Sequence, residues 1–167
     1  MNIFYVDEIP EVAAISLVDR HVVKMILESC QLLSTAHRVC DGKDNILMDE
    51  REYILYKATH KNHPSAIWVR QSVSNYNWLV EHTYGLCAEY THRYGKVHKS
   101  QSLMLYLQSP PYNVKDYDFT SIPCCMGDEY IISDNPVINY RNYYKKGKSD
   151  LHKWTKRNPP DWILEKE

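Results

Sequence analysis

Two long stretches of helical periodicity limit what this chain can fold into. The first covers residues 11–38, and Gly42 follows it as a stop signal. The second begins at Pro64, a residue favoured in the first helical turn, and ends at a glycine, Gly95. In both stretches apolar residues recur near the 3.6-residue period of an amphipathic helix. The pattern predicts two long helices, the second running over residues 64–94.

Shorter elements surround these helices. Residues 2–6 suit a short strand or an extended lead-in, and residues 108–135, with several prolines and no period, predict an ordered loop. Short helices are expected over residues 51–59, 100–107, 137–146 and 149–154. The predicted fold is mainly α: one compact helical domain over residues 1–167 with two long helices, a short N-terminal extended segment and a proline-rich ordered loop.

Composition excludes several function classes. The five glycines are too scattered for a glycine-rich phosphate loop. No apolar run approaches the roughly 18 residues of a membrane helix, and the N-terminus lacks the basic residues of a secretory signal. The five cysteines include no C-x-x-C, so we expect a reduced protein of the cytoplasm, with Cys124 and Cys125 in packing roles. Tyrosine outnumbers phenylalanine by 14 to 2, which indicates a wet cleft, a binding face or a polar-lined core.

Charge is unevenly spread although the net charge is only −1. Residues 1–50 hold nine acidic and four basic residues, whereas residues 141–157 hold seven basic residues and a single acidic one. The basic segment could meet a phosphate backbone. Arg141 lies off the tyrosine face of its helix and is expected to be free for a ligand.

Three polar clusters could carry chemistry. In the first helix His21, Lys24 and Glu28 lie along one side of the helix. A lysine amine beside a carboxylate and an imidazole could act as a nucleophile with an acid/base partner. The alternative is that these residues form a solvated helix face. At the start of the second helix, the side chains of His60, Asn62 and His63 precede Pro64 and could bind an anion, or simply cap the helix.

The third cluster closes the second helix, where Arg93, Tyr94 and His98 alternate aromatic and cationic side chains. This mixture fits nucleic-acid contact, and dipole complementation with buried tyrosines is the alternative. His60 and His63 have H-x-x-H spacing, but no third ligand stands out, so no metal site is expected.

Taken in order, these elements resemble a known family. The matching residues are Lys24 four before Glu28, Asn62-His63-Pro64 ahead of Trp68, Cys87-Ala88-Glu89-Tyr90-Thr91-His92-Arg93, and Tyr140-Arg141. The chain resembles, over about residues 2–162, the phage and bacterial proteins labelled pyrimidine-dimer DNA glycosylase or endonuclease V-like. The likeness implies a compact α-helical DNA-repair fold and is nearest to phage versions.

The resemblance also implies a mechanism. In the best-understood phage member the N-terminal amine attacks the sugar C1′ and forms a Schiff base, a glutamate of the first long helix assists, and β-elimination nicks the strand. Glu28 matches that glutamate. The chain begins Met1-Asn2, and methionine is normally removed poorly before asparagine, so Lys24 is an alternative amine if its pKa falls well below about 10.4.

The sequence therefore predicts a DNA N-glycosylase, with or without AP-lyase activity, that acts on damaged or modified bases in the cytoplasm, the host's if the protein is viral. Alternatives are a phage protein that binds or cleaves a small nucleotide, and a non-catalytic interaction module. No cofactor or membrane is expected, and the oligomeric state stays open. The catalytic candidates are Glu28, Lys24 and His21; the phosphate- or base-binding candidates are His60, Asn62, His63, Trp68, Arg93, Tyr94, His98 and Arg141.

Overall fold

The computed structural model describes residues 1–165, and its fold is mainly helical as predicted, with no β-strand in that part of the chain. Its α-helices are α1 (Pro10–Ser16), α2 (Asp19–Asp41), α3 (Arg51–Ile54), α4 (Pro64–Val69), α5 (Val73–Tyr94), α6 (Met104–Leu107), α7 (Pro136–Gly147) and α8 (Asp161–Leu164). Single 3-10 turns occupy Lys99–Leu103, Asp128–Tyr130 and Ser149–Leu151. No helix of residues 1–165 is both long and apolar enough to cross a membrane.

The prediction of one unbroken helix over residues 11–38 is wrong. The chain is extended at Leu17 and Val18, and α2 starts only at Asp19. Both residues of the break are fully buried, and the Val18 N–H donates to the Tyr144 hydroxyl at 3.1 Å. Neither glycine nor proline marks this position; a contact from α7, distant in sequence, stabilises the break.

The second predicted helix is also interrupted. Helix α4 ends at Val69, and α5 begins after Ser72, whose hydroxyl accepts the Asn75 N–H at 3.0 Å. Serine is a favoured N-cap because its side chain satisfies an otherwise unpaired helical N–H. At the far end Gly95 adopts the left-handed conformation, with φ of 64°, and closes α5 as predicted.

The two long helices, α2 and α5, pack against each other in the core. The N-terminal segment lies beside them and buries Ile3, Phe4, Tyr5 and Val6. It is not extended throughout as predicted, because Phe4 has a φ of 58° and the Val6 N–H donates to the Phe4 carbonyl at 2.8 Å. Tyrosine gives this core its polar groups, since fully buried Tyr76 and Tyr140 donate to the Leu107 and Pro123 carbonyls at 2.7 and 2.8 Å. Part of the tyrosine excess therefore lies in a core lined in part by hydroxyls, while other tyrosines, such as Tyr53 and Tyr112, are exposed.

Residues 108–135 form the expected irregular segment, with one 3-10 turn. Asn135 caps α7, because its side chain accepts the Val137 N–H at 2.9 Å. The helix predicted over 149–154 is confined to its 3-10 turn, and the tail that follows forms the short helix α8. The C-terminal part of the chain folds back and contacts the N-terminal half at both of its ends.

Candidate active site

The carboxylate of Glu28 contacts one amine and one backbone N–H group. Its Oε1 is 3.3 Å from the Lys24 ammonium, one helical turn earlier on α2, and its Oε2 accepts the Asn2 backbone N–H at 3.4 Å. The Glu28 side chain is only 13% exposed, whereas that of Lys24 is 61% exposed. The structure thus brings the start of the chain to the carboxylate that the sequence singled out.

Asn2 is fixed by its own side chain. Its Oδ1 accepts the backbone N–H groups of Ile3 and Phe4 at 2.8 and 3.1 Å, and its Nδ2 donates to the Cys125 carbonyl at 2.8 Å. Sequence reasoning missed this residue. The usable signal was an asparagine at position two, because asparagine readily bonds the backbone two residues on.

His63, the N-cap of α4, lies within electrostatic range of Glu28 and of the amino terminus. Its Nδ1 accepts the Ser65 N–H at 3.1 Å, so Nδ1 carries no proton and the ring presents Nε2 to the surroundings. Burial lowers the pKa of His63, the charges of the amino terminus and of His60 lower it further, and Glu28 opposes them. The amino terminus, Glu28 and the His60–His63 turn therefore form one electrostatic neighbourhood.

Two more predicted residues lie near α2. His98 caps the 3-10 turn after α5 by accepting the Ser100 N–H at 3.1 Å, and that turn packs against α2. Tyr94 is half-buried beside Tyr90, with ring centroids 5.2 Å apart.

Asn62 is exposed beside His60, whose ring contacts the Thr59 hydroxyl at 2.7 Å.

His21 lies in the core behind this surface. Its ring stacks on Phe4 with centroids 4.2 Å apart, and its Nδ1 is hydrogen-bonded to the Tyr144 hydroxyl at 2.7 Å. Burial, with the charges of Lys148, Lys24 and Arg20, lowers the pKa of His21 to about 4. The ring is neutral at pH 7, so it does not supply the cationic neighbour that a catalytic Lys24 would need.

Arg93 is buried in a cluster of charges. It donates to Glu89 at 2.7 Å and to Asp19 at 3.0 Å, while Arg157 and Thr155 bind the same two carboxylates from the C-terminal segment. Its side chain is fully shielded from solvent, so it holds helices together and has no surface for a phosphate.

Arg141 was expected to be free for a ligand, but its side chain is already bound within the protein. It donates to the Val6 carbonyl at 2.8 Å and to Asp7 at 3.0 Å. Trp68 is buried, and its indole N–H donates to the Thr120 carbonyl at 3.0 Å. One edge of the Trp68 side chain helps to line a shallow groove of about 320 Å³, which begins at Pro64, the residue after His63. The other lining residues are Ile67, Gln71, Ser121 and Pro123.

Within residues 1–165 no three His, Cys, Asp or Glu side chains are grouped as metal ligands.

The geometry has the parts of an amine–carboxylate site: the Lys24 amine and the Asn2 backbone N–H contact one half-buried carboxylate, and the amino terminus and the His63 imidazole lie within electrostatic range of it. Neither the curated proteins nor the solved structures that were searched include a match to the chain. The model of the pyrimidine dimer DNA glycosylase family matches residues 1–102, which include Asn2, Glu28 and His63. Because this match covers more than half of the 167 residues, the chain belongs to the pyrimidine dimer DNA glycosylase family.

Proposed function

We propose that the protein is a DNA glycosylase whose catalytic carboxylate is Glu28 and whose covalent amine, where AP-lyase chemistry follows, is the α-amine of the chain. The contact of Glu28 with the Asn2 backbone nitrogen carries this proposal. If Met1 is removed, that nitrogen becomes the α-amine; if Met1 stays, the amine lies one residue away, still close enough to act on His63.

An α-amine suits the reaction better than Lys24. The ordinary pKa of an α-amine is about 7.7–8.0 against about 10.4 for lysine, so far more of it is the neutral nucleophile near pH 7. A catalytic lysine needs burial or a cationic neighbour to lower its pKa. Lys24 is mostly exposed and paired with a carboxylate, and the nearby His21 is neutral at pH 7. Arg20, the cation one turn earlier on α2, is exposed to solvent, which screens its charge. Lys24 is the alternative amine that the experiment below tests.

The chemistry follows from these positions. The neutral amine attacks the sugar C1′ while the bond from C1′ to the base breaks, and the base leaves with the bonding electrons and takes up a proton. Glu28 would stabilise the positive charge that develops on the sugar in this step. Ring opening then gives the Schiff base, and loss of a C2′ proton expels the 3′ phosphate by β-elimination. Without the covalent step, Glu28 would activate water instead.

Among the other predicted residues, those at the start of α4 have supporting roles in this proposal. His60, Asn62 and His63 line the approach to Glu28 and would bind phosphate or the target base. The groove beside His63, with Trp68 at one side, would receive a base turned out of the duplex. A DNA-acting enzyme of this kind works in the cytoplasm, which for a phage protein is that of the host; five free cysteines fit that reducing compartment.

Borohydride trapping tests the proposal with a short duplex that carries one pyrimidine dimer. We expect the wild type to break one glycosidic bond of the dimer, called base release below although the freed base stays joined to its dimer partner, and to give a covalent protein–DNA adduct on reduction. Glu28→Gln should lower the single-turnover rate by about 10²–10⁴-fold. Glu81→Gln is the matched control, because Glu81 is an exposed glutamate on α5, and should behave as wild type.

Peptide mapping of the adduct identifies the amine. The proposal predicts that the label lies on the N-terminal peptide, that an extra residue placed before Met1 abolishes trapping, and that Lys24→Gln still traps. Label on Lys24 would transfer the covalent role to the lysine, and base release without any adduct would leave a simple hydrolase. No base release from any damaged duplex would refute the glycosylase proposal, and tight binding of a mononucleotide without DNA binding would replace it by the nucleotide alternative.

A further inference from the structure

The N-terminal end of α2 is surrounded by cations from two separate parts of the chain. Arg20 is exposed in the first turn of α2. The Asp19 N–H beside it donates to the Lys153 carbonyl at 2.8 Å, which places residue 153 against the same turn. Lys148, after α7, lies over the Tyr143 ring with its ammonium 5.0 Å from the ring centroid. Tyr143 stacks in turn on Phe4, which stacks on His21 of α2.

These three cations are available for a ligand. Within residues 1–165, Arg20, Lys148 and Lys153 form no ion pair with a carboxylate. Other members of the basic C-terminal segment are already paired, since Arg141 binds Asp7 and Arg157 binds Glu89. The excess positive charge that the sequence places over residues 141–157 is therefore in part directed to the beginning of α2.

The local field agrees with this placement. The charged groups that act on the buried His21 ring are Lys148, Lys24 and Arg20, all positive. The carboxylate of Asp19, which begins the helix, is taken up by Arg93 and by the Thr155 hydroxyl and N–H. Of the three cations near His21, Lys24 is paired with Glu28, whereas Arg20 and Lys148 form no ion pair among the described residues and leave positive charge beside the first turns of α2.

This positive surface leads directly to the candidate carboxylate. Arg20, Lys24 and Glu28 follow one another at four-residue spacing, so they lie on one side of the helix. Eight residues, slightly more than two helical turns, separate Arg20 from Glu28, or about 12 Å along the axis. A strand whose target sugar sits at Glu28 would therefore pass these cations with its neighbouring phosphates.

We infer that Arg20, Lys148 and Lys153 form a phosphate-binding track for the DNA backbone on the α2 side of the site. The inference rests on the proposed function for its ligand, and it adds two residues that lie beyond the family match at residues 1–102. Contacts of this kind fix the register of the strand and contribute affinity without sequence preference. The track positions the strand; it does not touch the reacting sugar.

The test removes the track and leaves the candidate catalytic groups in place. The triple variant Arg20→Gln, Lys148→Gln, Lys153→Gln is compared with a control that loses three exposed lysines elsewhere, at Lys43, Lys57 and Lys115. Affinity for a dimer-bearing duplex and for the same undamaged duplex is measured as a function of salt, together with the single-turnover rate of base release at saturating protein.

We expect the track variant to bind both duplexes about tenfold or more weakly at moderate salt, with a salt slope lower by about one for each phosphate that the variant no longer neutralises. Its saturated single-turnover rate should stay within about twofold of wild type, because the track acts on binding alone. The control should keep the wild-type slope.

Each contrary result has a distinct meaning. A track variant with the wild-type affinity and slope overturns this inference while wild-type activity keeps the proposed function. An equal weakening of binding in track and control variants shows a bulk charge effect and overturns it as well. A wild type that releases no base and binds no duplex refutes the proposed function and the track together.

Discussion

Arg93 provides a test that separates a structural from a DNA-binding role. Arg93→Met keeps most of the side-chain volume and removes the charge that Glu89 and Asp19 share. Removing one partner of a buried ion pair typically costs about 3–5 kcal/mol, because the other partner stays buried without compensation. Here Arg157 still binds Glu89 and Thr155 still binds Asp19, so the lower figure, about 3 kcal/mol, applies.

The measurement is thermal and urea unfolding followed by circular dichroism. For a chain of this size, about 3 kcal/mol corresponds to a Tm lower by roughly 6–12 °C. Arg157→Met is the matched control: that side chain is 34% exposed and Glu89 keeps Arg93, so we expect a loss of about 1 kcal/mol or less. Below its Tm the Arg93→Met protein should bind the dimer-bearing duplex with wild-type affinity, since Arg93 has no exposed surface.

The same cluster predicts acid sensitivity. Burial raises the pKa of Glu89, but hydrogen bonds from Arg157 and Arg93 outweigh it and hold the pKa below its usual value. A carboxylate with a lowered pKa in the folded state contributes stability above its unfolded pKa of about 4.3, and that contribution is lost as the pH falls through the folded pKa.

Two results would refute the structural role of Arg93. One is an equal loss of stability in Arg93→Met and Arg157→Met, and the other is a drop in DNA affinity without a loss of stability in Arg93→Met.

Three further predictions concern packing, acid and the start of the chain. A Cβ at Gly85 would meet the Ala14 Cβ at 3.0 Å, so Gly85→Val should lower the unfolding free energy by about 1–3 kcal/mol in urea titrations; an unchanged midpoint would contradict the close contact of α1 and α5. Asn2→Asp keeps the side-chain oxygen that accepts hydrogen bonds but replaces the Nδ2 donor by a second oxygen, which would face the Cys125 carbonyl. The variant should therefore slow single-turnover base release, and a wild-type rate would exclude a positioning role for Asn2. Burial lowers the pKa of three histidines to about 4 in the folded protein, from about 6.5 in the unfolded chain. As the pH falls, protons therefore bind the unfolded chain first, and the unfolding free energy should decrease between about pH 6.5 and pH 4. Equal urea midpoints at pH 7 and pH 5 would contradict this expectation. These histidines are His21, His37 and His82.

The sequence predicted helices well where the signal is local. Pro64 and Gly95 mark real helix ends, and Asn135 caps α7, because proline, glycine and asparagine act through their own backbone preferences or short-range bonds. The break at Leu17 and Val18 could not be predicted, since its hydrogen-bond partner is the Tyr144 hydroxyl, more than a hundred residues away. Periodicity continues across such a break because both residues still face the core.

The site shows the same division. Glu28, Lys24 and His63 could be proposed from residue type and spacing, and their placement near one another follows from the packing of α2 on α4. The different environments of Arg93 and Arg20 could not be read from sequence. Both are arginines at helix ends, and only the fold shows that two carboxylates enclose one while the other has none within residues 1–165.

The part of the chain beyond the family match also determines the geometry of the matched part. The Cys125 carbonyl holds Asn2 beside Glu28, the Tyr144 hydroxyl binds both Val18 and His21, and Thr155 binds Asp19 at the start of α2. Buried side chains from before and after residue 102 belong to one core cluster. A catalytic carboxylate acts only if the groups around it are held in place before substrate arrives. Residues 103–165 supply that restraint at both ends of the surface that leads from Arg20 to Glu28, so the chemistry assigned to the N-terminal half depends on the C-terminal half for its positions.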